Sequence, residues 1–207
     1  MNTPTTPTPT PAPRPQWQRA GLAIGGFVAV LYLIEAIDTV TRTNLDAWGI
    51  QPLTMDGLSG IAFAPLLHAG WGHLLANTLP LLVLGYLVLL SGIGRGLAAT
   101  GIVWVVGGLG TWLTGGHAIH VGASILIFGW LTYLLVRGIF ARHFGQILIG
   151  LVILFLYGSM LWGVLPGRYG ISWQGHLFGA IGGVVAAWLL ARPSRPALRH
   201  SSVSDVT

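Results

Sequence analysis

The stretch that decides the fold is residues 72–91, GHLLANTLPLLVLGYLVLLS, which contains no acidic residue, lysine or arginine. Its length is close to the ~20 apolar residues that a helix needs to cross the ~30 Å hydrocarbon core of a bilayer. Because lipid offers the backbone no hydrogen bonds, such a segment crosses the membrane as a helix. Five further segments share this character. We therefore predict six membrane-spanning helices, at residues 20–41, 72–91, 97–115, 121–137, 145–165 and 174–192.

The composition of the 207-residue chain also indicates a protein embedded in a lipid bilayer. Only 7% of the residues are charged and 53% are hydrophobic, whereas about 25% are charged in an average soluble domain. The ten basic residues are all arginines and form no run, so the net charge of +5 does not indicate a nucleic-acid partner. The chain has no cysteine, which excludes a disulfide framework, a thiolate site and a zinc ribbon.

The chain divides into a membrane domain, residues 19–192, and two polar tails. Residues 1–18 are rich in proline and threonine and are predicted to be disordered, and residues 193–207 form a second cytoplasmic tail. With the N-terminus inside, eight arginines lie on the cytoplasmic side and only Arg42 and Arg168 lie outside, as the positive-inside bias requires. We therefore predict an all-α six-helix bundle with both termini cytoplasmic and a structured first outer loop, residues 42–71.

Four polar side chains fall inside the predicted spans at one depth, near the outer face. His73 and Asn77 lie on one face of the second span, because they are four residues apart. Ser124 lies one turn into the fourth span, and His176 lies in the first turn of the sixth. Ionisable residues within membrane spans are rare and indicate a functional site.

These residue types suit acyl transfer. The Ser124 hydroxyl becomes a nucleophile when a base such as His176 removes its proton, and no carboxylate is placed to orient His176, which predicts a dyad. The Asn77 amide, the His73 ring and the Ser124 backbone N–H are the donors available to an oxyanion. The sixth span also carries small residues that let another helix approach closely, at Gly175, Gly179 and Gly183.

The motifs HAGWGHLLANTL, GAS and GHLFGAIGG, in this order on the second, fourth and sixth spans, resemble the rhomboid family of intramembrane serine proteases. The resemblance covers about residues 20–192 and implies a rhomboid-like six-helix bundle. The residues that it assigns are Ser124 as nucleophile, His176 as base, His73 and Asn77 at the oxyanion site, His68 as a supporting residue of the outer loop, and Gly122 in the serine motif.

The sequence departs from the family pattern at three places. Ile125 stands where a glycine usually follows the nucleophile and permits tight packing on the sixth helix. Phe128 stands where many members carry a tyrosine that stacks on the catalytic histidine. The Trp-Arg pair common in the family's first loop is missing from residues 42–67.

The leading hypothesis is a serine endopeptidase that cuts single-span membrane proteins near the outer face, without a cofactor, in a bacterial plasma membrane. Ile125 motivates the alternative of an inactive relative that binds transmembrane segments. A small transporter with His73, Glu35 and Asp38 on an ion path is the third hypothesis, although the polar groups gather at one depth.

Two further pairs of polar residues have competing interpretations. His117 and His120, in the outer loop between the third and fourth spans, are candidate metal ligands, but zinc sites usually add cysteine or carboxylate and the chain has no HExxH motif. We therefore predict no metal. Glu35 and Asp38, in the outer part of the first span, are expected to cap the helix, to face the loop or to tune access.

Overall fold

The computed structural model describes residues 13–167 and 170–191. This part of the chain is built from seven α-helices: α1 (Gln16–Thr41), α2 (Met55–Phe63), α3 (Trp71–Leu90), α4 (Ile93–Thr114), α5 (Ser124–Ala141), α6 (Phe144–Tyr157) and α7 (Trp173–Leu190). Six segments are long and apolar enough to cross a membrane, namely α1, α3, α4, α5, α7 and α6 with the 3-10 segment Gly158–Val164 that continues it. The prediction of an all-α protein with six membrane-spanning helices is confirmed.

The helix boundaries differ from the predicted spans by a few residues. Helix α1 begins at Gln16, directly after Pro15, and so takes in the last residues of the predicted tail 1–18. Helix α5 begins at Ser124 rather than at residue 121, because Gly122 has a φ of 119°, which lies outside the helical region. The rest of the predicted N-terminal tail, the C-terminal tail and four of the arginines used for orientation, Arg168, Arg192, Arg195 and Arg199, lie outside the described residues. The cytoplasmic position of the termini stays a prediction.

Helices α1 and α3 are antiparallel neighbours, joined by hydrogen bonds near both ends. At one end, the Gln16 side chain donates to the carbonyl oxygen of Leu89 at 2.8 Å. At the other end, the Trp71 indole donates to the hydroxyl of Thr39 at 3.1 Å. The ends of α1 and α3 are therefore matched across the bundle.

Helix α5 is the central helix of the bundle. In its most apolar window 72% of the residues are buried, against 11–39% in the other membrane-spanning helices. It packs closely on α7, where a Cβ at Gly179 or Gly183 would overlap the backbone carbonyl of Ile125 or Gly129. The prediction that the glycines of the last span permit close approach is confirmed. This contact sets α5 and α7 side by side, both beginning at the same end of the bundle.

The loop between α1 and α3, which we predicted to be the first outer loop, is structured, as expected. It contains α2 between two 3-10 turns, Leu45–Trp48 and Ala64–Leu66. Two indoles of α4 hold it in place, because Trp104 donates to the carbonyl of Ile61 at 2.7 Å and Trp112 donates to that of Thr54 at 2.8 Å. The loop therefore packs on the bundle as part of the fold.

Glu35 and Asp38, near the end of α1, lie in different environments. The Asp38 carboxylate accepts from the Leu45 backbone N–H at 2.8 Å and from the Thr43 hydroxyl at 3.1 Å. Of the interpretations left open by the sequence, Asp38 thus faces the loop and ties its start to α1. Glu35 is buried at the same end of the helix.

Candidate active site

A cavity of about 580 Å³ lies at the end of the bundle where α3, α5 and α7 begin. Its volume is in the range of about 300–1,000 Å³ typical of ligand sites. The cavity is lined by four residues selected from the sequence: His73, Asn77, Ser124 and His176. Counting along helices placed these residues at one depth, and the packing of α3, α5 and α7 turns them toward one space.

Ser124 occupies the first position of α5 and is 8% exposed. Within the described part of the chain its hydroxyl makes no hydrogen bond. By contrast, the Thr132 hydroxyl on the same helix is bonded to the Phe128 carbonyl, one turn earlier, and to Ala180. The first N–H groups of a helix have no partner inside the helix, and the helix dipole is positive there. The Ser124 hydroxyl is thus unengaged beside a positive helix end.

The ring of His176 is held on two sides. Its Nδ1 lies 2.9 Å from the backbone carbonyl oxygen of Gly163. Because a carbonyl oxygen only accepts hydrogen bonds, Nδ1 carries the proton, and in the neutral imidazole Nε2 is left with a lone pair. The Phe128 ring stacks on His176 with centroids 4.0 Å apart and planes inclined by 9°. This arrangement fixes the tautomer and the orientation that a general base requires.

Ser124 and His176 share the cavity, but no hydrogen bond joins their side chains among the residues that the structure describes. In ligand-free sites such contacts are often long and tighten when the substrate is bound. The shared cavity and the free Nε2 lone pair are therefore the relevant geometric features of the pair.

Asn77 is the polar group in the cavity that most needs a partner. It is 7% exposed, and its Nδ2 has no hydrogen-bond partner within the described residues. Leaving a buried donor unsatisfied costs about 1–3 kcal/mol. A ligand oxygen in the cavity would remove that cost.

Gly122 allows His73 to approach the serine motif. A Cβ at this position would lie 2.6 Å from Cε1 and 2.8 Å from Nε2 of the His73 ring. The φ of 119° at Gly122 also disfavours any side chain. Both constraints require glycine two residues before Ser124.

His68 supports the loop that precedes Ser124 and does not itself line the cavity. Its Nε2 accepts a hydrogen bond from the Ala123 backbone N–H at 3.4 Å, and its ring meets the His73 ring edge-on at 5.2 Å. Burial, with the neighbouring His73, lowers the pKa of His68 to about 4, against the effect of the Leu66 carbonyl. His68 is therefore neutral near pH 7 and acts as an acceptor.

His120 has a role that the sequence reasoning missed, because that reasoning considered it only as a metal ligand. Its Nε2 donates to the carbonyl of Gly115 at 2.8 Å, and its Nδ1 accepts from the Ser172 hydroxyl at 2.7 Å. Ser172 in turn accepts from the Gly175 backbone N–H at 3.2 Å and caps α7. With both ring nitrogens engaged, His120 holds the beginning of the helix that carries His176. Burial lowers its pKa, which favours this neutral form.

Of the residues that were missed, Ser172 could have been found from the sequence and Gly163 could not. A serine directly before an apolar helix is a known capping pattern, so Ser172 was detectable from the sequence. Gly163 was not, because it acts through a backbone carbonyl that every residue possesses. His117, the other candidate metal ligand, is exposed in the loop.

Ile125 fits between α5 and its neighbours because the facing positions are glycines. A Cβ at Gly107 of α4 would overlap Cγ2 of Ile125, and a Cβ at Gly175 of α7 would lie 3.2 Å from Cγ1. The branched side chain therefore fills space that these glycines leave. It does not hold α5 and α7 apart, since Gly179 still meets the Ile125 backbone.

Comparison with known proteins gives the family and several relatives. The family model described as Rhomboid domain matches residues 55–193. The uncharacterized proteins Rv1337 of Mycobacterium tuberculosis and Mb1372 of Mycobacterium bovis are each 55% identical over 203 residues, covering 94% of this chain and 85% of theirs. The uncharacterized protein ML1171 of Mycobacterium leprae is 53% identical over 189 residues, covering 87% and 75%. No solved structure matches the chain.

Proposed function

Because the chain belongs to the rhomboid family and is an integral multi-pass membrane protein, we propose that it is an intramembrane serine endopeptidase. Ser124 is the nucleophile and His176 the general base. The observation that carries the proposal is the Nδ1 contact of His176 with the Gly163 carbonyl. It leaves the lone pair on Nε2, in a ring that lines the same cavity as Ser124. A base with a fixed tautomer beside an unengaged hydroxyl is the arrangement that acyl transfer needs.

The reaction begins when Ser124 Oγ attacks the carbonyl carbon of the scissile bond and His176 Nε2 takes the hydroxyl proton. The C–N bond then breaks, and the proton passes from Nε2 to the leaving amine. An ester on Ser124 remains. Water attacks this ester with His176 again as base, which releases the carboxylate product and returns the proton to Ser124.

The negative oxygen of the tetrahedral intermediate needs hydrogen-bond donors. The backbone N–H of Ser124, the Nδ2 of Asn77 and the His73 ring are the donors that we assign. The lack of a partner for Asn77 Nδ2 supports its assignment, since the intermediate would satisfy it.

The substrates are single-span membrane proteins, cut near the predicted outer face. A helix hides its carbonyls in its own hydrogen bonds, so the segment cut must unwind, and the family resemblance implies small or helix-breaking residues there. The cavity of about 580 Å³ has room for a short unwound segment. The mycobacterial relatives support a bacterial plasma membrane as the location. No cofactor takes part in these steps.

The alternative of an inactive binding protein depended on Ile125. Its packing against Gly107 and Gly175 supports catalysis instead, because the helices that carry Ser124 and His176 keep their close contact. The transporter alternative placed His73, Glu35 and Asp38 on an ion path, and the structure bears on the Asp38 part of it. The hydrogen bonds of Asp38 to the first loop favour a structural role for this carboxylate.

The test is cleavage of a single-span substrate by the purified full chain in liposomes. Ser124→Ala and His176→Ala are expected to lower the rate by about a thousandfold or more. Matched controls are Ser159→Ala and His117→Ala, because both residues are exposed and neither lines the cavity. These two variants should cleave at the unmodified rate.

Labelling with a serine-directed phosphonate gives an independent readout that does not depend on finding the right substrate. The unmodified chain and Ser159→Ala should be labelled, and Ser124→Ala should not. If the unmodified chain neither cleaves nor labels, yet still associates with transmembrane segments in a manner indifferent to Ser124→Ala, the protein is a binding relative.

A further inference from the structure

Arg137 is a buried cation that the proposed reaction does not use. It lies 13 residues after Ser124 on α5, which places it ~20 Å along the helix, toward the opposite membrane face. It is 9% exposed, and its Nε has no hydrogen-bond partner within residues 13–167 and 170–191. Its guanidinium lies 5.7 Å from the centroid of the Tyr133 ring. A buried charge of this kind needs a counter-charge.

The described part of the chain supplies no carboxylate at that face. The acidic residues of the described part of the chain are Glu35 and Asp38 at the end of α1, and Asp46 and Asp56 in the loop between α1 and α3. All four belong to the end of the bundle at which Ser124 lies. The remaining acidic residue, Asp205, lies outside the described residues.

A second arginine faces the same space as Arg137. Arg95 of α4, Tyr133 and Arg137 of α5 and Gln146 of α6 line a cleft of about 30 Å³, closed by Leu190 at the end of α7. Four helices thus converge on a cleft with two cationic side chains. A water needs about 10–15 Å³ of such space, so the cleft has room for about two oxygen atoms, such as those at the edge of a phosphate, and not for a drug-sized molecule.

We propose that this cleft binds the phosphate of an anionic lipid headgroup. The planar guanidinium of Arg137 offers donors in the fork geometry that phosphate oxygens match. Arg95 is exposed at the outer edge of the cleft and adds a second charge. A basic pocket between helix ends lies at headgroup depth, where such pockets recruit anionic lipids. The site is separate from the Ser124 cavity and does not depend on the proposed protease activity.

The test is native mass spectrometry of the purified full chain with phosphatidylglycerol or with phosphatidylcholine of the same acyl chains. We expect the unmodified chain to prefer phosphatidylglycerol. Arg137→Gln should reduce that preference about tenfold or more, as for a lost hydrogen bond to a charged group. Arg95→Gln should reduce it about threefold, because an exposed charge is worth less.

Arg19→Gln is the matched control, since it removes one charge from an exposed residue near the start of α1, at the same end of the bundle but outside the cleft. It should leave the lipid preference unchanged. If Arg137→Gln does not fold, the lipid preference of Arg95→Gln is compared with that of Arg19→Gln, and this comparison alone tests the proposal. An equal loss in these two variants, or no lipid preference in the unmodified chain, overturns the proposal.

The source of the phosphate is decided by competition. Inorganic phosphate is added to the complex with phosphatidylglycerol. We expect the lipid to stay bound, because its acyl chains contribute to binding. Displacement by inorganic phosphate would overturn the lipid assignment and identify a site for free phosphate.

Discussion

The imidazole Nδ1 of His176 lies 2.9 Å from the carbonyl oxygen of Gly163, in the 3-10 segment that continues α6. In a Ser-His-Asp triad a carboxylate holds this nitrogen and selects the tautomer. Here a main-chain carbonyl occupies the same position relative to the ring. A neutral acceptor fixes the tautomer without adding a buried charge at membrane depth.

The first prediction concerns this contact. A Cβ at Gly163 would lie 2.8 Å from Cζ of Phe128 and 3.1 Å from Nδ1 of His176, so Gly163→Ala should displace the ring. We expect kcat for the single-span substrate to fall roughly 100-fold, as for a misplaced catalytic group. Gly25→Ala on α1, where a Cβ meets nothing within 4 Å, should keep full activity. Unchanged kcat in Gly163→Ala would show that the carbonyl does not orient His176.

The second prediction concerns Ile125. Ile125→Gly would empty the space between Gly107 and Gly175 and place a further glycine in α5. We expect the free energy of unfolding to fall by about 3–5 kcal/mol and the cleavage rate to fall as well. A higher rate in Ile125→Gly would mean that the isoleucine impairs the site, which would favour the inactive relative.

A third prediction tests the same packing from the opposite helix. Gly107→Ala should destabilise the protein because its methyl group would overlap Ile125, whereas Gly101→Ala on the same helix meets nothing within 4 Å. The double variant Ile125→Gly with Gly107→Ala should be less destabilised than the sum of the single variants. Strict additivity in this cycle would refute direct contact between the two positions.

The fourth prediction separates catalysis from folding at Asn77. Asn77→Ala should lower kcat by about 100- to 1,000-fold, as for a lost oxyanion donor. Its stability should hold or rise, because Nδ2 has no partner to lose among the described residues. Steady-state kinetics and thermal unfolding of the same preparation give both quantities. A parallel loss of stability and rate would point to a structural role instead.

The fifth prediction follows from the pKa of His68, which burial lowers from 6.5 to about 4. Between pH 6.5 and pH 4 the His68 imidazole binds a proton in the unfolded chain but not in the folded chain. The free energy of unfolding is therefore highest above pH 6.5 and decreases as the pH falls toward 4. The loss is on the order of 3 kcal/mol. His68→Gln should make the free energy of unfolding depend less steeply on pH between these limits, and the contribution of His120, whose pKa burial also lowers, should remain. His117→Gln, at an exposed loop position, should retain the unmodified slope, and a flat profile in the unmodified chain would contradict the assignment.

The sequence by itself determined the six membrane-spanning helices and the depth of the polar residues. Hydrophobic length decides whether a segment spans a bilayer, and this is a property of residue types alone. Because a helix rises by a constant amount per residue, counting from the span boundaries placed His73, Asn77, Ser124 and His176 at one level. The packing of the helices then brings these four residues to the lining of one cavity.

Only the tertiary structure decided which groups hold His176, how Ile125 is accommodated and where Arg137 points. The Gly163 carbonyl carries no mark in the sequence, since every residue has one. The contact of Ile125 with Gly107 and Gly175, and the cleft shared by Arg137 and Arg95, join residues on different helices. The glycines of the last span predicted that another helix approaches it closely, but which residues then meet depends on the rotation of the packed helices about their axes, which no local pattern encodes.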